Sequence, residues 1–235
     1  MGTSRMNRQQ LEARIRQLEL ENSRLRDRPV VPSRGDATRN RIRECAIDVL
    51  AAKGWHADLR DFTEAAGVGN STFYRHFPGR DELVREVGRQ MVQEVYDATL
   101  KLQKLDDGRE MLVQWVELGF ANVHRYGRLA VQVCFPEAVP PYLQDVVMRD
   151  ALLRFTGWIL KKCKEQGHCR SDASTRAMVR TFFALMHPFR IRWCEQEGLS
   201  QCEIFKETFQ VFTSSYATPE AFEAFRAPHF ELGAG

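Results

Sequence analysis

The sequence predicts an all-α fold, and three observations carry that prediction. Apolar residues recur at steps of three and four along most of the chain, as in Ile42, Cys45, Ala46, Val49 and Leu50, and again in Leu83, Val84, Val87, Met91 and Val95. Gly, Pro or polar clusters separate most of these runs. No alternating apolar-polar stretch of useful length and no internal repeat is present. With 235 residues and a 43% hydrophobic share, the chain can bury the core of one large helical domain, or of a small domain joined to a larger one.

The first element spans residues 7–27, where Leu11, Ile15, Leu18, Asn22 and Leu25 alternate steps of four and three without Pro or Gly. That is a short leucine-zipper pattern, with a polar Asn at a core position of the kind that fixes register in parallel dimers. Two readings stay open: the helix pairs with another copy, giving higher-order association, or it lies on its own chain. Residues 28–37 hold two prolines and a glycine and read as a linker. From Thr38 helical spacing resumes until Gly54. Asp58 then offers an N-cap, with Asp61 three residues on completing an approximate capping box for a short helix to Ala66.

The Gly67-Val68-Gly69 corner follows, and then a second short helix over Ser71 to Phe77, closed by Pro78 and Gly79. Two short helices joined by a tight glycine turn make a helix-turn-helix, whose second helix fits the major groove of duplex DNA. Ala65 and Ala66 are small enough to let the helices approach, and Val68, Phe73 and Phe77 are the inward candidates. Asn70, Ser71, Thr72, Tyr74, Arg75 and His76 are left outside, with side chains suited to phosphate oxygens and base edges. Charge agrees. Residues 1–43 contain 11 arginines and five acidic residues, a net of +6 in a chain of net charge +3, so a polyanion partner is expected near the amino terminus. Arg39, Arg41 and Arg43 are either solvated or in reach of phosphates.

The stretch from Thr38 to Val87 resembles the DNA-binding domain of TetR/AcrR-type transcriptional regulators. The resemblance rests on Ala66-Gly67-Val68, on Thr72-Phe73-Tyr74-Arg75-His76-Phe77 and on Arg80-Asp81-Glu82-Leu83. It implies a three-helix DNA-binding domain over residues 38–90, a divergent helical ligand-binding and dimerisation domain over 91–216, a tail over 217–235, and a homodimer. By position, Thr72 and Tyr74 would contact DNA, His76 would lie at its backbone, and Arg80 would occupy a place where the family often has a phosphate-binding lysine. Asn70 stands where the family is often basic and Ser71 where it often has glycine. Phe62 and Thr63, where Ile and Ala are usual, suggest a repacked corner.

Beyond residue 90, helices are predicted near 109–125, 128–134, 140–166, 172–197 and 200–215, with Pro188 kinking the fourth. Aromatic residues at helical spacing serve as core or as the lining of an apolar pocket. The candidates for lining are Trp115, Phe120, His124, Trp158, Phe183 and His187, with a small apolar or aromatic effector as the expected occupant. Phe182, Phe189 and Trp193, with Phe205, Phe209 and Phe212, form two apolar edges expected at the dimer interface, the rival reading being an intrachain core.

The six cysteines lack close CxxC pairs, and Cys163, His168 and Cys169 are the only local cluster, so no metal or cofactor is expected. No signal core and no run of eighteen apolar residues is present, which points to a cytoplasmic chain without a membrane span. No GxSxG, phosphate-binding loop or HExxH supports an enzyme. The expected function is a sequence-specific DNA-binding transcriptional regulator, a dimeric repressor released by a small molecule. The alternative is an architectural or partner-recruiting DNA-binding protein that uses the zipper and has no effector.

Overall fold

The computed structural model describes residues 34–135, 139–185 and 187–221, and the chain divides into two compact units, 1–38 and 39–235. The zipper pattern of residues 7–27 lies outside the described residues. The elements in order are α1 (Arg34–Lys53), a 3-10 turn (Gly54–His56), α2 (Leu59–Ala66), α3 (Asn70–His76), α4 (Arg80–Leu102) and α5 (Gly108–Gln132). A 3-10 segment (Pro141–Val146) follows, then α6 (Arg149–Glu165), α7 (Thr175–Leu185), α8 (Pro188–Gln196) and α9 (Gln201–Tyr216). The described residues form no β-strand beyond one isolated bridge between Cys169 and Ala217.

The first helix already includes Arg34, so residues 34–37, expected in the linker, are helical. Asp36 lies in its first turn, where the positive end of the helix dipole favours a carboxylate. The capping box of α2 forms as the spacing predicts: Asp61 N–H donates to Asp58 Oδ1 and Asp58 N–H donates to Asp61 Oδ2, each at 2.9 Å.

Two expected long helices are broken. The one expected over 140–166 is a 3-10 segment and then α6, because the extended backbone of Val147 (φ −69°, ψ 117°) interrupts the helical path between them. Pro188 does not kink a continuous helix. The described part of α7 ends at Leu185 and α8 opens on Pro188, a first-turn position where the missing donor costs nothing.

The break expected between 125 and 128 is a kink inside one continuous element. Gly127 adopts φ 49° and ψ −123°, and a Cβ there would stand 2.3 Å from the carbonyl oxygen of Ala51. Only glycine combines that backbone with so close an approach to α1. Element α5 is central to the packing, touching α4, α6, α9 and the 3-10 turn at Gly54–His56. Arg125 on α5 lies 3.8 Å from Glu44 of α1, and Gln132 Oε1 accepts from the Trp55 N–H at 3.3 Å.

Candidate nucleic-acid interface and buried cavity

The turn between α2 and α3 is built by backbone. Gly67 takes a left-handed conformation (φ 60°), its N–H donates to the Glu64 carbonyl at 3.1 Å, and the Val68 N–H donates to the Thr63 carbonyl at 3.0 Å. This closes α2 and frees the chain to turn. Phe62, Phe73 and Phe77 are wholly buried, Ala66 nearly so, and Val68 packs half-buried against them. Ala65, expected at the helix contact, is exposed, so Ala66 alone fills that role.

Burying Phe73 and Phe77 fixes the rotation of α3. Asn70, Ser71 and Arg75 are exposed, Tyr74 is 55% exposed, and Thr72 and His76 are half-exposed. All six expected contact residues therefore lie on or beside one open polar surface. Arg75 Nη2 donates to Thr72 Oγ1 at 3.2 Å, tying two of them together.

Arg39 and Arg80 are placed differently. Arg39 lies over the Phe77 ring, 4.3 Å from its centroid, and bonds the His76 carbonyl and Glu86. Arg80 donates from Nε to the Ala57 carbonyl and from Nη1 to the Tyr142 hydroxyl, both at 2.7 Å, and pairs with Asp81. Both guanidinium groups thus clamp the domain. Arg85 Nε, donating to the Tyr142 carbonyl at 2.7 Å, and Arg89 Nη2, 2.7 Å from Asp145 Oδ2, hold the 3-10 segment to α4 in the same way.

In the carboxyl-terminal half a cavity lies among α4, α5, α6, α7 and α9, with about 710 Å³ of empty space including its mouth. Trp115, Leu118, Gly119, Asn122 and Val123 bring one face of α5 to it, and Phe182, Phe183, Phe205, Met148 and Leu152 close other sides. The lining is apolar apart from Asn122 and the Cys134 thiol, which lies 3.4 Å from the Ala130 carbonyl. Trp115 is pinned by its Nε1–H donating to Thr156 Oγ1 at 3.1 Å.

Of the expected lining residues, Trp115 and Phe183 face this cavity. Phe120 is buried against Phe205, with ring centroids 4.5 Å apart. His187 is exposed and packs on Phe135, His124 is exposed, and Trp158 lines a neighbouring groove. The sequence reading missed Leu118, Gly119, Asn122 and Val123. Their helical spacing from Trp115 is a usable signal, but none of them carries an aromatic or imidazole ring to mark it.

The expected dimer edges need correction. Phe182, Phe205, Phe209 and Phe212 are each less than 10% exposed within the single chain, because α7 and α9 turn these faces toward each other and toward α5. The side chain of Phe189 lies outside what is described. Trp193 differs, being 57% exposed on α8. In the cysteine cluster, Cys163 and Cys169 are buried, the Cys163 Sγ lies 3.0 Å from the Gly108 carbonyl oxygen, and His168 Nε2 lies 3.2 Å from Asp107. The Cys169 contact and burial push the Cys163 thiol up, while the same contact lowers that of Cys169.

Residues 42–87 match the sequence model of the bacterial regulatory proteins of the tetR family. The chain carries a TetR-family DNA-binding domain. It is thereby a DNA-binding transcription regulator of the type its helix-turn-helix implied. No curated protein sequence matches the chain.

The TetR-type architecture extends to the whole described fold. CprB, a TetR family protein from S. coelicolor A3(2), superposes with a TM-score of 0.64 at 16% identity, over 82% of this chain and 94% of that one. A TetR family regulator from Agrobacterium tumefaciens gives 0.63 at 16% identity, over 78% and 100%. A putative regulator from Saccharomonospora viridis in complex with choline gives 0.59 at 22% identity, over 77% and 97%. Among the described residues no helix is long and apolar enough to cross a membrane.

Proposed function

We propose that the chain is a homodimeric repressor that reads its operator with α3 and is released when a small molecule fills the cavity. The observation that carries the DNA-reading part is the outward polar set on α3, held in register by the buried Phe73 and Phe77. Thr72, Tyr74, Arg75 and His76, with Asn70 and Ser71 at the helix start, are the contact residues. Arg39 and Arg80 support them from behind.

Effector control is supported by the position of α5. This helix lines the cavity from Trp115 to Val131, and within the same stretch it meets α1 at Gly127 and, one residue beyond, the Trp55 turn at Gln132. A ligand that favours one setting of α5 would favour one setting of the reading head, and it can shift that balance only by its differential affinity. The arrangement offers regulation rather than catalysis. Residues 7–27 would add a second association surface, giving assemblies beyond the dimer.

The test of DNA reading uses duplexes selected from a random pool by the wild-type protein. The Thr72→Ala/Tyr74→Phe double variant should fold normally yet bind the selected duplex at least about tenfold more weakly at fixed salt, as expected for lost base or backbone contacts. Undiminished affinity in a mobility-shift titration would remove α3 as the reading helix.

A further inference from the structure

The cavity has a neighbour. A wide groove on the outside of α4 and α6 is lined by Tyr96, Thr99, Gln103, Arg154, Phe155 and Trp158, among others. Val95, Trp115, Met148 and Leu152 belong to both the groove and the cavity. The two spaces therefore adjoin along these four side chains. The ring of Trp115 stands 4.9 Å from that of Phe155, and Phe155 stands 5.5 Å from Trp158, so an aromatic file runs from the buried space to the surface.

The two compartments differ in chemistry. The inner one offers apolar walls, the Asn122 amide and the Cys134 thiol. The outer one offers hydroxyl, amide and guanidinium groups beside exposed aromatic faces, Tyr96 at 56% and Trp158 at 41%. Among the described residues no carboxylate lines either space, and Arg154 is the one charged lining residue. Arg154 makes no hydrogen bond or ion pair among the described residues. Lys162, close by, is already engaged: its Nζ donates to the Leu105 carbonyl at 2.9 Å and sits 5.9 Å from the Trp158 ring. Among the described residues Arg154 thus offers the outer compartment an uncommitted planar donor fork suited to a carboxylate or phosphate.

We infer that cavity and groove are two compartments of one site for an anionic amphiphile, its apolar tail in the cavity and its acidic head group at Arg154. This deepens the effector reading above and rests on it for any regulatory consequence. An apolar ligand without a head group would fill only the inner half. A small cation such as a quaternary ammonium would meet Arg154 with like charge.

The experiment compares octanoate with 1-octanol, two probes of equal tail and different head, by calorimetric titration of the full-length protein at neutral pH. Octanoate should bind about five- to tenfold more tightly, the range expected for a partly exposed charge-assisted hydrogen bond. Arg154→Gln, at an exposed position, should bring octanoate down to the octanol level and leave octanol unchanged. Leu118→Trp, which projects a ring into the empty space, should weaken both, with a thermal melt confirming that the variant is folded. Equal binding of the two probes, an equal loss of both in Arg154→Gln, or no binding of either would overturn the inference, whatever happens to DNA binding. If the probes bind as stated but leave affinity for the selected duplex untouched, the two-compartment site stands and effector-controlled release is what fails.

Discussion

Arg75 and Arg80 lie five residues apart in opposite surroundings. The Arg75 side chain is exposed and donates to Thr72, whereas Arg80 spends its donors on the Ala57 carbonyl, Tyr142 and Asp81. A cation that neutralises a phosphate displaces a condensed counterion, so its removal flattens the salt dependence of binding. Arg75→Gln should lower the slope of log affinity against log salt by about one unit. Arg80→Gln should leave the slope unchanged and cost about 1–2 kcal/mol of stability through its lost internal hydrogen bonds. Salt titration and chemical denaturation of the two variants separate these outcomes, and a reduced slope for Arg80→Gln would return it to the DNA face. Residue types were legible from sequence here, but the division of labour was not. The segment that carries Tyr142 is 62 positions away, and no local pattern announces that it folds back on Arg80.

At the scale of elements, local signals did well where they acted alone. Asp58 with Asp61, and Gly67 after them, fix α2 because capping and a left-handed turn are decided within a few residues. The kink at Gly127 could be read only as a break, since the reason for it is the Ala51 backbone pressed against it. Asp107 shows how a cap acquires a pH dependence. Burial opposes its ionisation, but the N–H groups of Arg109 and Glu110, which its Oδ1 accepts at 2.8 and 3.3 Å, outweigh that together with His168 and Arg109, and hold its carboxyl below the ordinary value. A folded-state value below the unfolded one means that this stabilisation is present above about pH 4 and fades as pH falls through the lowered value. Asp107→Ala should cost about 1 kcal/mol near neutrality. Denaturant midpoints of wild type and variant should converge in acid, and a gap that persists there would show that the carboxylate charge is not the source.

For the whole molecule, the hydrophobic period marked the fold class, and the residues beside the glycine corner marked the surface proposed to bind DNA. It could not tell an aromatic face that meets another copy from one that meets a neighbouring helix, since both bury the same atoms. The chain resolves this for Phe182, Phe205, Phe209 and Phe212 by covering them itself, which leaves Trp193 on α8 and Val211, 45% exposed on α9, as the large apolar groups facing outward there among the described residues. Trp193→Lys should therefore dissociate the proposed dimer, while Leu18→Lys should remove only assemblies larger than it. Sedimentation velocity distinguishes the two, and a dimer untouched by Trp193→Lys would place its interface elsewhere. The cavity beneath α5 has a mechanical side as well. Space that the folded chain encloses and the unfolded chain does not makes unfolding shrink the system, so hydrostatic pressure favours the unfolded state in proportion to the voids removed, typically by some 20–100 mL/mol. A molecule seated in that space takes its volume out of the balance. The liganded protein should consequently resist compression better than the free one, by more than its gain in heat stability alone accounts for, and pressure-dependent fluorescence of Trp115 in its wall would report the difference.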